Sequence, residues 1–202
     1  MTDMQPIDFY FDFSSPYGYL ASTRIDGLGA KYGREVRWRP ILLGATFKVT
    51  GLPPLPTVPL KGDYSRHDFA RSARHHGVAY THPSVFPIAT QAPARAFYWL
   101  DAQNPTKAKQ LAAALYEAYF QRDVNISNPS DTVAVAAAMG VDGPALEAAL
   151  NDPAVKEKLK VEVEQAIARG VFGSPFIFVD DEPFWGMDRF DQIERWLKEG
   201  GF

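Results

Sequence analysis

The chain has 202 residues, of which 46% are hydrophobic and 22% charged, the balance of a globular protein and not of a disordered, fibrous or membrane-embedded one. It contains no cysteine, which excludes disulfide frameworks, thiolate-held zinc, iron–sulfur clusters, dithiol exchange and any reaction of a protein-borne thiol. With 21 basic against 24 acidic residues there is no positive face to hold a phosphate backbone, so no nucleic-acid partner is expected.

The opening MTDMQPIDFYFDF lacks a basic segment followed by an apolar stretch and a small-residue cleavage site, and nowhere does an apolar run reach roughly eighteen residues. A cytoplasmic location without a membrane partner is therefore expected. Residues 7–13 set phenylalanines against Asp8, Tyr10 and Asp12, a strand pattern dense enough in aromatics to be central in its sheet. Ser14, Ser15 and Pro16 then supply a hydroxyl cap and a first-turn proline. Tyr17, Leu20, Ile25 and Leu28 follow before Gly33, which reads as a helix and its stop. A second strand near Val36–Ile41 completes a β-α-β unit with a parallel pair.

Between Gly51 and Gly62 the stretch LPPLPTVPLK carries Pro53, Pro54, Pro56 and Pro59, too many missing amide donors for helix or central strand, so an extended and partly rigid loop is expected. Helical periodicity takes over from Asp63 to about Asp152, with Ala-rich segments near 64–76, 90–102, 106–121 and 130–139, and another helix spans about Ala154–Arg169. Gly173-Ser174-Pro175 leads into the apolar strand Phe176–Val179. Asp180-Asp181-Glu182 reads as its turn, Phe184 and Trp185 as a paired strand, Gly186 as a break, and Asp188 as the cap of a last helix through Trp196 and Leu197. The ends, 1–62 and 171–202, make one α/β domain in the order β-α-β then β-β-α, interrupted by a large all-helical insertion over 63–170.

Two places invite chemistry. Ser15-Pro16-Tyr17-Gly18 puts a hydroxyl at a helix start, where unpaired amides and partial positive charge favour an anion by about 0.3–1 kcal/mol, or up to about 2 kcal/mol when partly buried. The same serines also serve as plain N-caps. Ser174-Pro175 is either a cis bond, leaving the Ser174 amide and carbonyl free for an extended ligand, or a trans entry turn. His67, His75, His76 and His82 show no metal-ligand spacing, so no metal is expected. Arg71, Arg74 and His75 read as a solvated helix face. No Ser-His-Asp arrangement is present to activate a serine nucleophile, and the sequon Asn125-Ile126-Ser127 has no secretory context to give it a role.

Taken together, FYFDFSSPYGYLA near the start and GVFGSPFIFVDDEPFWGMDRF near the end resemble the 2-hydroxychromene-2-carboxylate isomerase family, which is similar to kappa-class glutathione transferases and DsbA-type thioredoxin-like oxidoreductases. The resemblance spans nearly the whole chain and implies a thioredoxin-like domain with glutathione as cofactor. It places Ser15 against the glutathione sulfur, in the slot of the first redox cysteine of the relatives, and Gly18 in the second cysteine's slot. Ser174, before the cis-proline, is implied to grip the tripeptide through its backbone. Trp185, Gly186, Met187 and Asp188 are implied at its γ-glutamyl end, with Asp188 pairing the ammonium, capping the last helix, or both. Lys48 aligns with a lysine directed at the substrate carboxylate, a task for a point cation, though it also reads as a solvated surface lysine. Lys61 resembles a lysine near glutathione, and Phe86 stands near the place of a substrate-contacting tyrosine. The family's asparagine before Lys61 is missing, since the chain reads Leu52-Pro53-Pro54-Leu55-Pro56 there. The implied activity is opening and cis–trans isomerisation of a hydroxychromene carboxylate, an aromatic-degradation intermediate, with glutathione restored each cycle. The alternatives are a kappa-class transferase or peroxidase on another electrophile, and a non-catalytic thioredoxin-like binding module. A homodimer acting on a small aromatic carboxylate is expected.

Overall fold

The structure, a computed structural model, describes residues 5–202; Met1–Met4 of the opening segment lie outside the described residues. A four-stranded sheet holds β1 (Ile7–Phe11), β2 (Val36–Pro40), β3 (Phe176–Val179) and β4 (Glu182–Trp185) in the order β2-β1-β3-β4. β1 and β2 run parallel, from Ile7 opposite Val36 to Phe11 opposite Pro40, while β3 and β4 are antiparallel additions. Chain segments nearly 170 residues apart in sequence thus share one sheet, and β1 is central.

All five β1 residues are buried, the polar positions included. On one face Phe9 and Phe11 stack at 5.2 Å and meet Trp38 edge-on, with Phe97 and Tyr116 packed against Phe11. On the other, Asp8 is held by Arg39 at 2.8 Å and Arg169 at 2.6 Å, and Arg39 also meets Glu162 at 3.2 Å. Burying a carboxylate requires such partners, which is why a strand that reads as half-polar is buried on both faces.

α1 (Pro16–Lys31) joins β1 to β2, and α2 (Leu43–Thr50) follows β2. Six helices then precede β3: α3 (Lys61–His75), α4 (Gln91–Asp101), α5 (Pro105–Arg122), α6 (Pro129–Ala138), α7 (Gly143–Asn151) and α8 (Pro153–Ala168). Four of the helices, α1, α5, α6 and α8, begin on a proline, where the missing N–H is harmless and the fixed φ suits the first turn. Asn104, Asp142 and Asp152 cap α5, α7 and α8 with side-chain oxygens 2.8–3.0 Å from backbone amides. α2 and α7 were not expected as separate helices. α2 starts after Leu42 with no capping side chain of its own, and α7 opens on Gly143-Pro144, a breaker pair by composition. The proline-rich loop contains a single 3₁₀ turn, Leu55–Thr57.

The hairpin between β3 and β4 turns on Asp180 and Asp181, both left-handed at φ 52° and 68°, and Glu182 is already the first residue of β4 rather than part of the turn. At the C-terminus the expected cap is corrected. Asp188 lies in a 3₁₀ turn, Met187–Arg189, and α9 (Phe190–Glu199) starts after Arg189 without any side-chain cap. No helix among the described residues is long and apolar enough to cross a membrane.

Candidate active site

β1 ends one residue before Asp12, and the chain must turn sharply to begin α1 at Pro16. Ser15 occupies the N-cap in extended geometry, where its Oγ accepts the Gly18 amide at 3.0 Å. The same hydroxyl donates to the Ser174 carbonyl at 2.8 Å. Ser174 in turn accepts the Asp12 amide on its Oγ at 2.9 Å and precedes a cis peptide bond to Pro175, whose carbonyl accepts the Gly186 amide at 3.1 Å. Of the two geometries open for Ser174-Pro175, the cis one is therefore present. The expectation that both Ser174 backbone groups are free needs correction, because the Ser15 hydroxyl occupies the carbonyl. Only the Ser174 amide lacks an acceptor among the described residues.

Gly18 is required by close approach. A Cβ there would lie 2.6 Å from Ser174 Oγ and 2.8 Å from Tyr116 Oη, and Tyr116 uses that hydroxyl to hold the Asp12 carbonyl at 2.9 Å. The first turn of α1 is thus pressed directly onto the segment ahead of Pro175.

The four expected residues after β3 divide. Trp185 is 56% exposed, its indole lying over Gly173, where a Cβ would come within 2.2 Å of Nε1, and edge-on to Phe172 at 4.8 Å. Gly186 has φ 110°, and a Cβ on it would meet Asp188 Oδ1 at 2.4 Å. Asp188 is exposed, 3.3 Å from the Arg189 guanidinium. Met187 is buried in the core, which leaves only its backbone available to a ligand.

Lys48 sits exposed near the end of α2 and Lys61 exposed at the start of α3. No hydrogen bond or ion pair among the described residues joins either to Ser15 or Ser174, so the structure does not draw them into the serine cluster. Phe86 is half-buried and heads a cis bond to Pro87. Its ring is 6.1 Å from Phe69, which lies 5.0 Å from Tyr17, and His82 stands 4.9 Å beyond it. A run of aromatic rings therefore leads away from the Ser15 turn. The Ile88 amide donates to Ser14 Oγ at 3.1 Å and fixes this segment against the turn.

The residue that sequence reasoning missed is Asp12. It is only 2% exposed, and its carboxylate accepts the Ser14 amide at 2.7 Å, the Leu43 amide at 2.7 Å and the Thr90 hydroxyl at 3.1 Å. Burial pushes its pKa up to about 6, against the opposing pull of these donors. Its signal was an aspartate just past an apolar strand, read as part of the strand's polar alternation. Among the described residues no cluster of side chains has metal-holding geometry.

The model of the DsbA-like thioredoxin domain matches residues 6–198. The chain belongs to the DsbA-like thioredoxin family. Within this family it is 31% identical over 193 residues to the 2-hydroxychromene-2-carboxylate isomerase of Sphingobium xenophagum, covering 95% of this chain and 97% of that protein. It is 28% identical over 214 residues to glutathione S-transferase kappa 1 of Caenorhabditis elegans, covering 98% and 93% respectively. A solved structure of a 2-hydroxychromene-2-carboxylate isomerase superposes with a TM-score of 0.85 at 29% identity, over 96% of this chain and 95% of the other. A probable DsbA oxidoreductase from Streptomyces coelicolor shares the fold, with a TM-score of 0.76 at 19% identity over 96% and 89%. The four strands of this fold come from the two ends of the chain, with six helices between them in sequence, and these curated relatives are enzymes: an isomerase and a kappa-class transferase.

Proposed function

We propose that the chain is a glutathione-dependent isomerase acting on 2-hydroxychromene-2-carboxylate-type compounds. The observation that carries this reading is the joining of Ser15 Oγ to the Ser174 carbonyl beside the cis Pro175, in a cysteine-free chain 31% identical to a 2-hydroxychromene-2-carboxylate isomerase. The site suits a cysteinyl tripeptide. The Ser174 amide has no acceptor among the described residues, the exposed Trp185 offers an apolar face beside it, and Asp188 presents a carboxylate to an ammonium group.

Bound glutathione would supply a thiolate whose addition turns a conjugated double bond into a rotatable single bond and whose departure re-forms the double bond and returns the thiol. Ser15 serves this chemistry as a donor and not as a nucleophile. By turning about its Cβ–Oγ bond the hydroxyl leaves the Ser174 carbonyl and points its proton outward, while its oxygen still accepts the Gly18 amide. The first turn of α1 adds partial positive charge at the same spot. The Ser174 amide holds an extended backbone as a sheet edge holds an added strand, and Lys48 takes the substrate carboxylate.

The test is turnover of 2-hydroxychromene-2-carboxylate with and without glutathione. Isomerisation that requires glutathione but leaves total thiol unchanged supports the reading. A second reading, transfer of glutathione to an electrophile, is favoured by the 28% identity to the kappa transferase. It predicts net thiol loss with chloronitrobenzene. Absence of both activities and of glutathione affinity leaves a binding module.

A further inference from the structure

The start of α2 has no capping side chain of its own, and at the start of α4 the N-cap Thr90 does not cap its helix. Both ends converge on Asp12. Leu43, the first residue of α2, donates its amide to Asp12 Oδ2 at 2.7 Å, and Thr90 donates its hydroxyl at 3.1 Å to Oδ1 and 3.2 Å to Oδ2. Ser14, the residue before the cap of α1, donates its amide to Oδ1 at 2.7 Å. One carboxylate thus gathers the beginnings of three helices, whose partial positive ends favour a negative charge.

Among the described residues no cation faces this carboxylate. α2 offers only the Leu43 amide, the approach to α4 only the Thr90 hydroxyl, and the segment before β3 only Ser174, whose Oγ accepts the Asp12 amide. The titratable groups facing it are Tyr116 and Tyr119 of α5, both held protonated by burial. Among the described residues Asp12 forms no ion pair. The two amides cannot reverse direction, so both bonds are strong only while the carboxylate is charged, since charge-assisted bonds are about twice as strong as neutral ones.

We propose that Asp12, in its ionised form, is a positioning residue of the glutathione site, locking the Ser14–Ser15 turn to the start of the Lys48-bearing helix α2; this rests on the function proposed above. Protonation weakens both amide bonds and loosens the turn that presents Ser15. An Asn in this position is a poor replacement, because its amide nitrogen would face one of the two donated backbone amides.

The experiment follows the Ser14 and Leu43 amide resonances of the wild type, Asp12→Asn and Thr90→Val between pH 4.5 and 8. In parallel, calorimetry measures the affinity for S-methylglutathione, which has no ionisable thiol. Thr90→Val keeps the carboxylate and removes one donor, so it reports even where Asp12→Asn folds poorly. In the wild type both amides titrate with one midpoint, and affinity falls about tenfold as pH drops through it, as expected for losing the charge from two bonds. In Thr90→Val the midpoint and the affinity step move upward together; in Asp12→Asn the step disappears and binding is weak throughout. Affinity that ignores the titration, or wild-type affinity in folded Asp12→Asn, overturns the positioning role alone. No binding to the wild type at any pH overturns both this role and the glutathione reading.

Discussion

The Ser15 hydroxyl and the Ser174 carbonyl, 159 residues apart in the chain, meet at 2.8 Å beside the cis Pro175. This contact ties the start of α1 to the entry of β3 and uses the donor that a thiolate would need. In the function proposed above, a ligand thiolate competes with the Ser174 carbonyl for this proton. That geometry makes the donor switchable without moving the backbone, because the cap bond from Gly18 uses the oxygen and not the proton.

Ser15→Ala accordingly removes a cap and strands a buried carbonyl. Each loss is worth about 1 kcal/mol, and for a chain of this size the pair lowers the melting temperature by roughly 5 °C. Turnover with saturating glutathione should fall by about 10²–10³, the loss typical of an anion-stabilising donor. Near wild-type turnover in a folded variant removes Ser15 from the chemistry.

Gly18→Ala tests the close approach of α1. The added methyl meets Ser174 Oγ and Tyr116 Oη, both committed to Asp12 and both buried or anchored. Overpacking of this kind destabilises by about 1–3 kcal/mol, and glutathione affinity should fall with it because Ser174 is displaced. Chemical denaturation and calorimetry on the same sample separate the two effects. An unchanged affinity with lowered stability means that the ligand does not use Ser174.

Much of this was legible in the residues. Ser15-Pro16 announces a helix start through its cap and proline, and Phe176–Val179 announces a strand, so the two segments that meet here follow from local rules, while their joint role rests on the resemblance of the two ends to a known family. What local rules do not carry is convergence. Asp12 lies in an aromatic strand sequence, and only the meeting of Ser14, Leu43 and Thr90 around it reveals a buried charge. The Ser174 carbonyl looked free for the same reason, since its partner is 159 residues away. Asp188 failed as a cap because an intervening 3₁₀ turn moves the start of α9 one residue on, to Phe190, with Arg189 at the N-cap. Met187, one of the expected ligand contacts, faces the core.

Asp12 also fixes a pH dependence of stability. Its pKa rises from 3.8 to about 6 on folding, so between about pH 4 and 6 the folded state holds more protons than the unfolded one, and stability attributable to this group falls as pH rises. The difference amounts to about 3 kcal/mol above pH 6. Asp12→Asn loses this slope. Its stability relative to wild type should therefore improve as pH is raised from 4 to 7, whatever fixed penalty the amide brings. Parallel denaturation curves across this range that keep a constant gap exclude a buried, ionising Asp12. A carboxylate retained at this cost fits a site that gives up stability for placement of its groups.

The two exposed lysines separate substrate from cofactor. In the function proposed above Lys48, on the helix that Asp12 holds at its other end, takes the substrate carboxylate, and the family resemblance puts Lys61, at the head of α3, near glutathione. A solvated ion pair contributes at most about 1 kcal/mol, or roughly fivefold in binding. Lys48→Ala should therefore raise KM for the chromene carboxylate by about that factor and leave glutathione affinity alone. Lys61→Ala should do the reverse. Each effect should shrink as salt is raised, because exposed charges are screened. Steady-state kinetics at two ionic strengths, with calorimetry for glutathione, reads all of these changes. If Lys48→Ala alters neither quantity, the substrate carboxylate is held elsewhere, and the linkage from Asp12 through α2 then serves the architecture of the site and not substrate capture.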